Sequence, residues 1–329
     1  MSILVTGGAG YIGSHMVWRL LDAGETVIVV DRLSTGFDWA VPAEAKLFVC
    51  DIGDQERVVG LMRDHAVSAV FHFAGSIIVP ESVSNPLAYY LNNTVNSRAL
   101  LEACVDANVS HFIFSSTAAV YGTPEAGEPV HEDSPLRPES PYGNSKLMTE
   151  TMLRDVAAAH PMIYSCVRYF NVSGADPNGR AGQSTRNATH LIKAATQTAL
   201  GKRPHLEIYG TDYPTADGTC IRDYIHVSDL VEAHYLALQD MRATGENMIV
   251  NCGYGHGHSV FDVVETVKRI SGSDFEVRLT ERRPGDAVTI VANSDRIRDR
   301  LNWEPRFDDL DKIVTHALRW EDALSRRNS

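Results

Sequence analysis

The sequence predicts an α/β fold, a doubly wound parallel sheet with a smaller C-terminal α/β domain, from three observations. A short apolar run, Ile3 to Val5, is followed at once by Gly7, Gly10 and Gly13 and then by the helical apolar spacing of Met16, Val17, Leu20 and Leu21. Further apolar runs alternate with amphipathic stretches, and the runs are continuously apolar, as strands covered by helices on both faces must be. The C-terminal ends of those runs carry Gly7, Asp31, Asp51, Gly75 and Ser115, and ligands of such sheets gather at those ends. This is the Rossmann arrangement.

The first glycines let the backbone turn tightly and come close to a ligand. The helix after them points its free N–H groups and positive dipole end at whatever lies above, for which a pyrophosphate is the natural occupant. A second strand, Thr26 to Val30, ends in Asp31, eighteen residues after Gly13, where a carboxylate accepts both ribose hydroxyls of an adenosine. Asp31 disfavours a 2′-phosphate and so selects NAD over NADP; Arg32 beside it acts in the opposite direction.

A polar loop from Leu33 to Gly36 leads to a strand, Lys46 to Cys50, ending in Asp51-Ile52, and then to a helix capped near Asp54 with Val58, Leu61 and Met62 on one face. The strand Ala69 to Phe73 ends in Ala74-Gly75, a helix carries Leu100, Leu101 and Cys104, and a further strand spans His111 to Ser115. Prolines at 124, 129, 135, 138 and 141 mark a long loop, and loops of that length inside a compact domain are usually functional. It delivers Ser140-Pro-Tyr142-Gly-Asn-Ser-Lys146 to a helix start, where Tyr142 and Lys146, four apart, share one face. A strand from Met162 to Phe170 closes the cofactor half. Past Asn171 the periodicity becomes irregular, with a helix from about Thr189 to Leu200, a helix that Ser228 can cap, and a strand from Met248 to Asn251. The domain change is therefore placed near Asn171, giving 1–171 and 172–329, with the helix near 228–241 and the strand near 248–251 free to return to the first domain.

With 44% hydrophobic and 22% charged residues the chain reads as a soluble enzyme, and no apolar run approaches the ~20 residues that cross a bilayer. No basic leader precedes the first strand, so the expected compartment is the cytoplasm. The five scattered cysteines read as buried thiols of a reducing environment. A net charge of -12 argues against a nucleic-acid surface. The segment Cys252 to His258 contains possible metal ligands but reads as a strand-to-helix loop with solvated histidines, so no metal is expected.

A tyrosine hydroxyl, with an ordinary pKa of ~10, is too weak a base at neutral pH unless positive charge lies nearby. Lys146 one turn from Tyr142, together with the positive nicotinamide ring of NAD, supplies such charge, so that Tyr142 can take a proton from an alcohol. A hydroxyl at the end of the strand His111 to Ser115 completes the set. Thr117 is the choice among Ser115, Ser116 and Thr117.

These motifs, with Arg168-Tyr-Phe-Asn171, Tyr209-Gly-Thr-Asp-Tyr-Pro-Thr-Ala-Asp217-Gly-Thr, Arg222-Asp-Tyr-Ile-His-Val and Arg282-Arg283-Pro-Gly-Asp286, resemble the UDP-glucose 4-epimerase family of extended short-chain dehydrogenases/reductases over nearly the whole chain. The resemblance implies that Tyr11, Ile12, Asp31, Asp51, Ile52, Phe73, Ala74, Gly75, Asn92, Lys146 and Phe170 line NAD, with Ser115 at the strand end beside them. Tyr142 is the implied base and Thr117 its partner. Asn171, Arg222 and Arg283 are implied to hold a UDP diphosphate, Asp286 its ribose, Tyr209 its uracil, and the backbone near Leu191 a phosphate or base. Two guanidiniums suit a diphosphate and an aromatic ring offers a base a stacking face. The implied reaction is interconversion of UDP-glucose and UDP-galactose through a 4-keto sugar in a homodimeric protein, with contact faces expected at Asn93 to Ala107 and Tyr142 to His160.

Three positions depart from the family pattern: Ile77, where many members carry Lys, His190, where some carry Asn, and Ile290, where others carry Tyr or Cys beside the hexose. Ile290 leaves N-acetylated sugars open. A dehydratase would need an acid and base where Ala118 and Ala119 stand, and a decarboxylase a cation for a carboxylate. Epimerases of other UDP-sugars stay open. A non-catalytic NAD-sensing module would have lost Tyr142 or Lys146, and both are present.

Overall fold

In β1 (Ser2–Thr6) every residue is buried, as the sequence Ile3-Leu4-Val5 requires when both faces of a sheet are covered. The chain, a computed structural model described for residues 1–124, 128–186, 188–283 and 286–327, continues through α1 (Tyr11–Asp22), β2 (Thr26–Asp31), β3 (Lys46–Val49), α2 (Gln55–Asp64) and β4 (Val67–His72). Two short helices, α3 (Val79–Ser84) and α4 (Pro86–Tyr89), run through a π-helical turn, Tyr90–Val95, into α5 (Asn96–Asp106), and β5 (His111–Ser115) follows. The long helix α6 (Pro141–Ala159) starts where Ser140 caps it, its hydroxyl accepting the Gly143 N–H, with Pro141 in the first turn. Then come β6 (Ile163–Tyr169), β7 (Asn171–Ser173), α7 (Leu191–Ala199), β8 (Leu206–Tyr209), β9 (Ile221–Arg222), β10 (Tyr224–His226) and α8 (Val227–Thr244). The chain closes with β11 (Met248–Cys252), β12 (His258–Ser259), α9 (Val260–Ser271), β13 (Val277–Thr280), β14 (Thr289–Ile290), α10 (Asp295–Leu301) and α11 (Leu310–Arg327).

Seven strands form one parallel sheet in the order β11-β6-β5-β4-β1-β2-β3. The order reverses between β1 and β4, which opens a crevice at their C-terminal ends. Alternation along each strand divides the core. Val5, Val29 and Phe71 pack with Met16 and Leu20 of α1 and Leu230 of α8 on one face. Leu4, Val30 and Val70 pack with Val58 of α2, Leu100 of α5 and Leu153 of α6 on the other. Each of these fully buried side chains contributes about 2 kcal/mol by leaving water.

β11 extends the sheet beyond β6, Met248 lying opposite Ser165 and Cys252 opposite Tyr169. The remaining strands make small ladders, β7 with β10, β9 between β12 and β14, and β8 with β13. Ser228, expected as a cap, lies inside α8. Its N–H donates at 3.0 Å to Nδ1 of His226, which occupies the cap position because β10 runs straight into the helix. All five cysteines are free and buried, and among the described residues no helix is long and apolar enough to cross a membrane. No cluster of His, Cys, Asp and Glu able to hold a metal ion occurs among the described residues.

Candidate active site

The turn after β1 is built so that a side chain would break it. Gly7 has φ +70° and a Cβ there would lie 2.6 Å from the Ala74 nitrogen; a Cβ on Gly13 would lie 2.1 Å from the Gly7 carbonyl oxygen. Gly10 occupies the cap position of α1 in an extended conformation, with no side chain capping the first-turn amides. Above these amides lies a recess edged by Ser14, Thr35, Ser184 and Thr185. Uncapped N–H groups, a helix dipole and several hydroxyls match the oxygens of a pyrophosphate.

At the next strand end, Asp31 accepts the Ala9 N–H on Oδ2 at 3.0 Å and the Leu33 N–H on Oδ1 at 2.7 Å, which fixes its carboxylate beside the glycine turn. Arg32 is directed to Asp51, its Nη1 3.1 Å from Oδ2, and Asn96 and the Gly53 N–H hold the other Asp51 oxygen. Ile52 beside it is buried. Tyr11 donates its hydroxyl to the Gly174 carbonyl at 2.7 Å, and Ile12 packs on the core beside it. The Phe73 N–H reaches the Thr6 carbonyl, which sets Phe73, Ala74 and Gly75 against the glycine turn.

Asn92 donates to Ser76 Oγ at 2.9 Å, while its neighbour Asn93 does more. Buried Asn93 accepts the Ser76 N–H and donates to both the Ser76 carbonyl and Ser145 Oγ, so it joins the end of β4 to α6. Sequence reasoning did not assign Asn93 to the site, because neither its burial nor the π-helical turn that carries it, a feature frequent at functional sites, shows in the local pattern.

Tyr142, Lys146 and Thr117 are all buried and meet at the end of β5. Nζ of Lys146 donates to the Ser115 carbonyl at 2.9 Å and stands 4.7 Å above the Phe114 ring. The Thr117 hydroxyl, which accepts the Ala119 N–H at 3.1 Å, lies close enough to the Tyr142 phenol to favour its ionised form. Burial lowers Lys146 to about 8, opposed by the carboxylate of Glu150. It pushes the Tyr142 phenol up, with Tyr169 and Tyr89 adding to the rise and the Thr117 hydroxyl acting against it. Without a cofactor's charge the phenol is raised, because it is cut off from water; the expected lowering needs the nicotinamide ring as well as Lys146. Ser115 Oγ donates to the Tyr169 hydroxyl at 3.0 Å.

On the C-terminal side, Asp286 joins two guanidiniums. Its Oδ2 lies 3.2 Å from Arg283 Nε and its Oδ1 4.0 Å from Arg222 Nη2. Arg283 stands 4.4 Å over the Tyr209 ring, whose hydroxyl donates to Glu207. Arg222 lies opposite Ile290 in the β9–β14 ladder. Ile290 in turn packs on the small apolar cluster of Ala118, Tyr121 and Phe170, which joins this cationic corner to the Thr117 segment. Asn171 opens β7 and is exposed, and Leu191 opens α7 half-buried. His190 beside it is pushed down by burial. Ile77, by contrast, lies exposed beyond the end of β4.

A family model described as the NAD dependent epimerase/dehydratase family matches residues 3–253. A UDP-glucose 4-epimerase of Azospirillum brasilense is 56% identical over 98% of this chain and 93% of its own length. The crystal structure of UDP-glucose 4-epimerase from Brucella ovis in complex with NAD superimposes with a TM-score of 0.93 at 42% identity, covering 97% of both chains. The Stenotrophomonas maltophila UDP-glucose-4-epimerase, solved with bound NAD and formylated UDP-arabinopyranose, gives a TM-score of 0.95 at 37% identity over 99% of both chains. With its glycine turn, its parallel sheet and its buried Tyr-Lys-Thr set, the chain belongs to the NAD dependent epimerase/dehydratase family.

Proposed function

We infer that the chain is an NAD-dependent UDP-glucose 4-epimerase, interconverting UDP-glucose and UDP-galactose through a transient 4-keto sugar. The observation that carries this reading is the buried Tyr142 phenol beside Thr117, with the Lys146 ammonium anchored on the same strand end. The residues of the crevice fit NAD: the amides of the Gly7–Gly13 turn suit its pyrophosphate, Asp31 its adenosine ribose, and Gly75, where an added Cβ would lie 3.8 Å from Lys146 Nζ, leaves room beside the reacting groups. When bound, NAD supplies a reversible hydride acceptor at the sugar C4.

Tyr142 takes the proton of the sugar 4-hydroxyl and later returns it, Thr117 holds the reacting oxygen, and Lys146 keeps positive charge near the phenolate. Arg222, Arg283 and Asn171 grip the diphosphate, with Asp286 passing from guanidinium partner to ribose acceptor, and Tyr209 faces the base. Anchoring the nucleotide and leaving the hexose few charged contacts lets the keto sugar present either face.

A homodimer forms over the face of α3, α4 and the π-helical turn. Val79, Val83, Leu87, Leu91 and Val95 recur every four residues and are all exposed, and Met148 of α6 extends the patch. Such an exposed apolar stripe, running over successive short helices, marks a contact surface. The cytoplasm and hexose metabolism follow from the same reading.

The test is to incubate the purified protein, without added cofactor, with a panel of UDP-sugars and identify the products. UDP-galactose is expected to give UDP-glucose together with a trace of NADH absorbance on the protein. No conversion of UDP-galactose even with NAD supplied, or turnover confined to pentose, uronate or N-acetyl sugars, would overturn this assignment.

A further inference from the structure

Three consecutive residues where β5 ends are each tied to a successive inward turn of α6. Thr117 meets the phenol of Tyr142, the Ser115 carbonyl accepts from Lys146, and Ser116 Oγ donates to Glu150 Oε1 at 2.5 Å. The third rung is not a reacting group. Both Glu150 oxygens are engaged by Arg168 of β6, whose Nε lies 3.0 Å from Oε1 and whose Nη2 lies 2.6 Å from Oε2. Arg168 is itself fixed, donating from Nη1 to the Tyr121 hydroxyl at 2.9 Å and the Glu132 carbonyl at 3.1 Å. Glu150 and Arg168 are 5% and 2% exposed, so the pair is desolvated on all sides. An ion pair so buried adds little net stability compared with an apolar pair of the same size, because desolvation consumes most of its attraction. What it does supply is direction: a bidentate guanidinium–carboxylate contact tolerates little rotation or sliding of the helix that carries it.

We propose that Glu150 is a positioning residue of the reaction: clamped by Arg168 and Ser116, it fixes the height and rotation of α6 on the end of β5, so that Tyr142 stays beside Thr117 and Lys146 on Ser115. Its carboxylate also favours the Lys146 ammonium. The proposal rests on the assignment of Tyr142 and Lys146 as reacting groups. The titratable groups facing Glu150 are Lys146 on its own helix, Arg168, Cys166 and Tyr164 of β6, and Tyr121 from the segment after β5. Burial pushes Cys166, Tyr164 and Tyr121 up, so they stay neutral, and Arg168 stays charged. Lys146 is the group left to register a change in the Glu150 charge.

The experiment is a pH profile of kcat for Glu150→Gln, purified with its cofactor, beside the parent and Tyr142→Phe. Expected for Glu150→Gln are parental NAD content and KM, kcat reduced about 10-fold or more, and an alkaline limb moved to lower pH by about half a unit or more. Glu150→Asp, which keeps the charge but shortens the reach, should restore the limb and leave kcat low. A residue of purely structural importance would change the folded fraction and leave the limb where it was. Parental kcat and an unmoved limb in folded, NAD-loaded Glu150→Gln overturn the proposal. If that variant does not fold, Ser116→Ala decides, since it removes one hydroxyl and leaves the ion pair. A several-fold fall in kcat with the limb in place is expected, and parental kcat overturns the positioning role. An active Tyr142→Phe would instead overturn the site assignment itself.

Discussion

The Lys146 ammonium nitrogen lies 2.9 Å from the carbonyl oxygen of Ser115, so its charge is held at the strand end from which the chain runs on to Thr117. Burial brings this ammonium to about 8, with Glu150 holding it up. The proton is bound below that pH and lost above it, so kcat is expected to fall as pH rises through about 8. Initial rates with saturating UDP-galactose across that range check this, and a flat profile up to pH ~10, the ordinary Lys value, would contradict it.

Tyr142→Phe removes the phenolic oxygen and keeps the ring, which lies buried at the Thr117 contact. Epimerisation should fall by roughly 10²–10⁴-fold with melting temperature and NAD content close to parental. A loss of less than ~10-fold would remove Tyr142 from the proton transfer.

His15, His72 and His234 are buried and held neutral, lowered by burial to about 4, about 3 and about 4. In the unfolded chain each takes a proton near pH ~6.5. Below that pH the unfolded state therefore binds more protons, and stability falls as pH drops, by about 1.4 kcal/mol per pH unit for each histidine. Urea unfolding at a series of pH values measures the slope. His15 is the most informative substitution, because its Nδ1–H donates to the Tyr11 carbonyl while Nε2 accepts the Asp176 N–H, and His15→Gln keeps at most part of that link.

Gly13→Ala places a methyl group against the Gly7 carbonyl, a backbone atom with nowhere to go. The expected result is a loss of about 2–4 kcal/mol and a protein that purifies without NAD, read from the absorbance ratio and the unfolding midpoint. Retention of NAD would show that the turn can open without harm.

Leu87 and Leu91 are 78% and 58% exposed in the middle of the apolar stripe. Leu87→Glu combined with Leu91→Glu should convert the dimer into monomers in sedimentation experiments while leaving secondary structure intact. An unchanged mass, or a parent that is itself monomeric, would place the subunit contact elsewhere or remove it.

The cofactor half was legible because its signals are local. Ile3 to Val5, the glycine turn and Asp31 lie within one strand-helix-strand unit, and their backbone demands follow from residue type. The corner formed by Tyr209, Arg222, Arg283 and Asp286 was legible through the resemblance alone, since its members come from β8, β9 and the segment before β14 and nothing in their spacing brings them together. Asn93 and Glu150, which fell within the expected contact faces, were given no role in the site because a polar residue looks solvated until its partners, Ser76 or Arg168, are seen from other elements. The expected contact faces at 93–107 and 142–160 meet the apolar stripe only at Val95 and Met148; the stripe's other members lie in the short helices and the turn before residue 93, and carry no sequence motif.

The place of β11 bears on how the polypeptide reaches its native state. Until residues 248–252 leave the ribosome, β6 is a bare parallel edge of largely buried residues, Ile163–Tyr169. Nascent chains stopped before that point present a sticky border to one another. Messages truncated there should yield aggregates, and the amino-terminal portion should become an autonomous soluble fragment only when a strand equivalent to Met248–Cys252 is grafted back onto it.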